Sequence, residues 1–200
     1  MQRVAIVTDS TAGLSPAVAA ELGISIVPAS FAFAEERHLD GAVPWSGVYE
    51  RMTADGVAPR TFGVAESGFR TAFESGLKRA DAVLAIVSPF GVNPSFTTAC
   101  AAMLAIQFDQ PDAKIKVLNA GVGSAGLGAL LMSLAACAKA GATVDALLAA
   151  IDDLEPRADS LFVPADLAWL ARAGRLQMLE ERLGPLDGRF PSRLAKVITP

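Results

Sequence analysis

The chain reads as an α/β protein with a mainly parallel sheet and helices on both faces, and three observations predict that class. The opening run Val4-Ala5-Ile6-Val7 is an unbroken apolar stretch, as a strand buried on both faces requires, and it ends abruptly in the small polar residues Thr8-Asp9-Ser10-Thr11. A well-signalled helix follows, with Ser15 as N-cap, Pro16 in the first turn and Gly23 where a left-handed C-cap is needed, before a second apolar run, Ile24 to Val27. Strand and helix patterns then keep alternating. In such sheets ligands collect outside the carboxyl ends of strands, which makes Thr8-Asp9-Ser10 the first candidate edge.

The later elements follow from their periods. Trp45, Val48, Tyr49 and Met52 fall at i, i+3, i+4 and i+7, so the spacing predicts an amphipathic helix laid on the core. Phe69, Ala72, Phe73, Leu77 and Ala80 predict another. Ala82 to Ser88, Ile115 to Asn119 and the shorter Leu161 to Pro164 are strand candidates. Thr143 caps a helix whose apolar face is Val144, Leu147, Leu148, Ile151 and Leu154, and Asp166 caps a turn of helix ending before Gly174. The uncharged stretches Ala82 to Phe108 and Val117 to Ala138 are long enough to raise the question of a membrane span. Pro89, Gly91 and Pro94 interrupt the first, and Asn119 with Gly121, Gly123, Gly126 and Gly128 interrupts the second, so both are read as the covered centre of a sheet. After Leu183 turn signals crowd together at Gly184-Pro185, Asp187-Gly188 and Pro191. The organisation expected is therefore one lobe over 1–174 and a short appendage over 175–200.

Composition narrows the function classes. Of 200 residues 52% are hydrophobic, and the formal charge is -4. No basic stripe interleaved with aromatics is present, so the footprint of a nucleic-acid binder is missing. Cys100 and Cys137 lack CxxC or CxxH spacing, which argues against zinc or a disulfide framework and for buried reduced thiols. Met1 runs almost directly into the first strand, so no secretory leader is expected and the cytoplasm is the default compartment. There is no P-loop, no HExxH and no set of carboxylates at ligand spacing, so no metal or nucleotide cofactor is expected. His38, the single histidine, lies in a charge run and is read as solvated loop. Asp9 is read as a turn-fixing acceptor before it is read as an acid or base.

Two loops carry the remaining chemistry. Asn93-Pro94 has the form of an N-cap and first-turn pair, so the free N–H groups at Ser95 and beyond would point out of the helix start. A carboxylate there would gain oriented donors and the positive end of the helix dipole. The plainer alternative is that Asn93 and Ser95 only cap their own helix. The second loop, Gly121-Val122-Gly123-Ser124-Ala125-Gly126, satisfies GxGxxG after a strand and before a helix, the context of a dinucleotide fingerprint. Its acidic partner strand is missing, since Ala142-Thr143-Val144-Asp145 reads as a helix cap. Glycines that admit close helix packing are the plainer account.

The order of short motifs resembles the DegV family of fatty-acid-binding proteins, which includes the lipid-presenting subunits of bacterial fatty acid kinases. Val7-Thr8-Asp9-Ser10-Thr11 looks like its VTDST opening, and Glu21-Leu22-Gly23-Ile24 with Val27-Pro28 looks like its ELGI..VP. Asp40-Gly41, the Arg60-Thr61-Phe62-Gly63 loop, Gly126-Leu127-Gly128 and Ala173-Gly174-Arg175-Leu176 resemble further family motifs in the same order. The resemblance implies a first-lobe-like fold and a long-chain fatty acid, or a similar amphipathic carboxylate, whose carboxylate a separate kinase subunit phosphorylates. It implies no catalytic residue in this chain. Thr61 would bond the carboxylate from the first loop and Ser95, with Asn93 beside it, from the second, while Ser10, Phe62, Ser124 and Arg175 complete the candidate ligand-binding set. Phe62-Gly63-Val64-Ala65 stands where the family has Ser, Gln, Pro and Ser, and Asn119-Ala120 where it has Asp-Ser. Most of the family's second lobe is not matched, which leads to the expectation of a homodimer formed through 175–200. The alternatives are an interaction module that has lost the lipid and, more distantly, a dinucleotide-dependent enzyme.

Overall fold

The computed structural model describes residues 2–89, 93–158 and 167–173. These fall into two compact units, one of 2–29 with the described part of 62–158, the other of 30–61 with 167–173. In chain order the elements are β1 (Val4–Asp9), α1 (Pro16–Leu22), β2 (Ile24–Val27), β3 (Ser30–Phe33), β4 (Glu36–Leu39), α2 (Trp45–Asp55), β5 (Arg60–Phe62), α3 (Glu66–Arg79), β6 (Ala82–Val87), α4 (Ser95–Asp109), β7 (Ile115–Asn119), α5 (Ser124–Lys139), α6 (Val144–Leu154) and α7 (Leu167–Arg172). The strand candidate Leu161 to Pro164, the Asp166 cap and the boundary at 174/175 lie outside the described residues.

The first unit holds a parallel sheet in the order β2-β1-β6-β7, with Ile6 opposite Ile24 on one side and Leu84 on the other. Every residue of β6 is buried, as its unbroken apolar run requires. Alternate strand residues feed two cores. On one face Leu84 and Ile86 meet Leu127, Leu131 and Leu134 of α5 and Leu147 and Ile151 of α6. On the other Val83, Ala85 and Val87 meet Phe69 and Phe73 of α3 and Ala99, Ala102 and Ile106 of α4. Helices thus cover both faces, as anticipated. Ile115 to Asn119 departs from the reading as sheet centre: β7 is an edge strand with only Ile115 buried, because no further strand pairs beyond it among the described residues.

Strong local signals agree with the structure. The Ser15 hydroxyl accepts from Val18 N at 3.2 Å, Gly23 closes α1 at φ 73°, and the Thr143 hydroxyl accepts from Ala146 N at 3.2 Å. Close packing accounts for Gly128 of α5, since a Cβ there would stand 2.7 Å from the carbonyl oxygen of Ala12. The turn after β1 and the helix meet backbone to backbone, the close-packing account of this motif.

The second unit holds a small sheet in the order β4-β3-β5, with β3 and β4 antiparallel, together with α2. Its core is Phe31, Phe33 and Val48, with Val43 and Met52 against it. The helix at Trp45 forms as its period predicts, but its stripe is not all core: Trp45 is 44% and Tyr49 59% exposed. Trp45 stacks on Phe31 at 5.4 Å and Tyr49 on Trp45 at 5.8 Å, so rings are layered outward over a patch too small to bury them. His38 sits on β4, not in a loop, half-buried and 5.4 Å from the Phe31 ring. Thr61 likewise belongs to a strand, β5. Neither cysteine is fully buried: Cys137 is exposed on the outer side of α5, and Cys100 is partly exposed, its thiol pushed up by burial. Among the described residues no helix is long and apolar enough to cross a membrane.

Candidate functional site

From β1 the chain steps to β2 on one side of the sheet and later returns to β6 on the other, so β1 and β6 flank the point where strand order reverses. Their carboxyl ends are therefore the place where this architecture builds a crevice. Fully buried Asp9 occupies it. Its carboxylate accepts from Ser88 N at 2.9 Å, from the Ser88 hydroxyl at 2.8 Å and from Thr11 N at 2.9 Å, and also takes the Thr11 hydroxyl. Asp9 is a clamp between strand ends and fixes the turn that follows β1. Ser10 continues it: its hydroxyl accepts from Ala29 N at 3.0 Å, tying the second residue beyond β2 to the same turn.

The start of α4 differs from the expected cap by one residue. Pro94 occupies the N-cap position and makes no side-chain cap bond, the helix begins at Ser95, and the Asn93 side-chain oxygen accepts from Ser95 N at 2.8 Å. The Ser95 amide is therefore not a free donor. What is left over is on the side chains. Ser95 is 0% exposed, and neither its hydroxyl nor Asn93 Nδ2 has a hydrogen-bond partner among the described residues. The bond to Ser95 N fixes which way the Asn93 amide faces, because only its oxygen can accept. An orphaned buried polar group costs roughly 1–3 kcal/mol. Two neighbouring donors in that condition ask for an acceptor-only partner, and an ionised carboxylate is one. Thr8 Oγ1 is a third orphan, on the opposite face of β1 from the Asp9 side chain.

The segment after β5 is fastened to this helix start. Thr98 donates its hydroxyl to the Val64 carbonyl at 2.9 Å, and a Cβ at Gly63 would stand 2.6 Å from Pro94 Cγ. Phe62 is half-buried just ahead of Gly63. Thr61 is exposed and belongs to the second unit. Ser124 opens α5 with φ 49°, a left-handed conformation that costs a non-glycine residue about 1 kcal/mol or more, and the Gly13 backbone stands against it. In the glycine loop the Gly121 N–H is taken by the Glu155 carboxylate, and Thr143 starts a helix where a dinucleotide site needs an acidic strand end. Arg175 lies outside the described residues. Among the described residues no cluster of ligating side chains could hold a metal ion. Sequence reasoning missed Thr98 and Gly63, whose roles depend on what they touch. Only the departure of Gly63 from the family pattern was a signal.

Comparison with known proteins supplies the family. The model of the DegV family of uncharacterised proteins matches residues 3–187. A DegV domain-containing protein of Halalkalibacterium halodurans is 29% identical over 190 residues, covering 93% of this chain and 65% of the relative. The structure of DegV, a fatty acid binding protein from Bacillus subtilis, superposes with a TM-score of 0.82 at 23% identity over 94% of this chain and 66% of that one. The Fatty Acid Kinase B3 protein of Streptococcus pneumoniae, loaded with linoleic acid, does so with 0.76 at 22% identity over 92% and 66%. At these identities the structural likeness establishes the fold. The chain spans 65% of the length of the Halalkalibacterium relative.

Proposed function

The chain belongs to the DegV family, and from that premise we propose that it binds a long-chain fatty acid without catalysing its conversion, holding the carboxylate at the start of α4. The observation that carries this reading is the pair of buried donors without acceptors, Ser95 Oγ and Asn93 Nδ2. An ionised head group would satisfy both in charge-assisted bonds. The helix dipole adds a further favourable field. The fatty acids bound by the Bacillus and Streptococcus proteins support the choice of ligand class. The name of the Streptococcus protein supports a kinase subunit as the recipient of the carboxylate. Ser10, Phe62, Ser124 and Arg175 are the further residues of this proposal, and Thr61 enters as a second hydroxyl, tested separately.

The test is affinity for a long-chain fatty acid against the alcohol of equal length. Ser95→Ala deletes one charge-assisted bond worth about 1.5 to 3 kcal/mol, so affinity for the acid should fall roughly ten- to a hundredfold while affinity for the alcohol changes little. Thr61→Val, which keeps the branched shape, is expected to act in the same direction. Equal affinities for acid and alcohol in the unmutated protein would overturn the carboxylate reading and favour a lipid-free interaction module.

A further inference from the structure

Two residues that follow Phe62 have a structural partner at the start of α4. Gly63 faces Pro94: a Cβ at position 63 would lie 2.6 Å from Pro94 Cγ, 2.7 Å from its Cδ and 3.3 Å from its backbone nitrogen. A proline ring cannot rotate out of the way, so any side chain at 63 displaces one segment from the other. Val64 follows, 2% exposed in the core beneath α3 and α4, and its carbonyl accepts the Thr98 hydroxyl at 2.9 Å. That hydroxyl has other acceptors within reach, Ser95 O at 3.2 Å and Pro94 O at 3.3 Å, but one proton makes one good bond and Val64 is nearest. Thr98 thus lies one helical turn beyond the orphaned Ser95 and holds the 63–64 segment against the same turn.

We propose that Gly63 and Thr98 are positioning residues of the Ser95 site, Gly63 by admitting the Pro94 ring and Thr98 by tying the Val64 carbonyl to the first turn of α4. The inference rests on the carboxylate reading given above. It makes glycine at 63 and proline at 94 a coupled pair, since the ring occupies the space that a side chain at 63 would need.

The pair predicts non-additive behaviour. Gly63→Ala should lower the acid-to-alcohol affinity ratio roughly tenfold, the loss of about one charge-assisted bond. Pro94→Ala combined with Gly63→Ala should restore most of it by removing the ring carbons that the new methyl meets. Thr98→Val should lower the ratio and Thr98→Ser should retain it, since serine keeps the hydroxyl. Amide hydrogen exchange at Ser95, read without ligand, should accelerate in Gly63→Ala and recover in the double variant. An acid-to-alcohol ratio that stays unchanged in folded Gly63→Ala and Thr98→Val, while the unmutated protein prefers the acid, overturns the positioning role alone. A protein with no preference for the acid overturns the carboxylate reading. In that case normal Ser95 exchange in Gly63→Ala overturns the Gly63–Pro94 coupling as well, and accelerated exchange rescued by Pro94→Ala sustains it.

Discussion

At the carboxyl ends of β1 and β6, Asp9, Thr11 and Ser88 use one another up, whereas at the start of α4 Ser95 and Asn93 keep buried donors that no described residue accepts. Both places are polar, buried and near strand ends of the same unit. The difference lies in closure. A network whose members satisfy one another rigidifies the fold, while one left open at a single point reserves that point for something from outside. Under the proposed function, stability falls to Asp9, Thr11 and Ser88 and binding to Ser95 and Asn93.

The largest effect should come from opening the closed network. Asp9→Ala strands Ser88 N and Thr11 N, with two hydroxyls beside them, and should cost about 3 kcal/mol or more, read as a lower urea midpoint at unchanged slope. A loss below about 1 kcal/mol would show that the strand ends hold together without the clamp. The contrast sharpens with Ser95→Ala, which removes an orphan and should raise stability without ligand by about 1 kcal/mol, in the same denaturation, while weakening acid binding. A stability loss comparable to that of Asp9→Ala would mean that Ser95 has a partner within the chain, and the two places would no longer differ.

The smallest effect belongs to polar groups that are neither closed nor buried. Arg51, hydrogen-bonded to Glu36 at 2.7 Å, holds that carboxyl below its ordinary range, with His38 adding to the shift. A carboxyl lowered in the folded state contributes stability that is present above its unfolded pKa and is lost as pH falls through the lowered folded value. Both groups are exposed, so the contribution is slight and screened by salt. Glu36→Gln should therefore differ a little from the parent at neutral pH and not at all in acid below the carboxylate range. A difference that persists there would assign the effect to packing around Phe33, over which Arg51 lies at 4.4 Å.

Much of the first unit was legible because its signals are local. Ser15, Gly23 and Thr143 cap the helices their positions announce, and the unbroken apolar run of β6 identifies a central strand. The second unit was less legible. Ser30–Phe33 and Glu36–Leu39 carry no turn glycine, and their reversal runs through Ala34 at φ 48°, a conformation that residue type does not advertise. The Trp45 stripe gave the helix but not its burial, since periodicity records which residues share a face and not how large a surface waits for that face. The site divides in the same way: Ser95 and Asn93 were named from their place before a helix, yet the one-residue shift that uses up the Ser95 amide depends on side-chain geometry.

The alternation of strands and helices in the first unit, the polar turn at Asp9 and the resemblance to a family follow from the amino-acid sequence alone, because each is carried by residues close together along the chain. The parallel sheet order β2-β1-β6-β7, the clamp from Asp9 to Ser88, the seat of Gly63 on Pro94 and the two unanswered donors at α4 were decided only by the tertiary structure. The physical reason is separation: the Asp9 clamp joins residues 79 positions apart, and the Thr98 bond to Val64 joins residues 34 apart. A hydrogen bond or a close approach of that range depends on where two distant backbones come to rest, which no local pattern records.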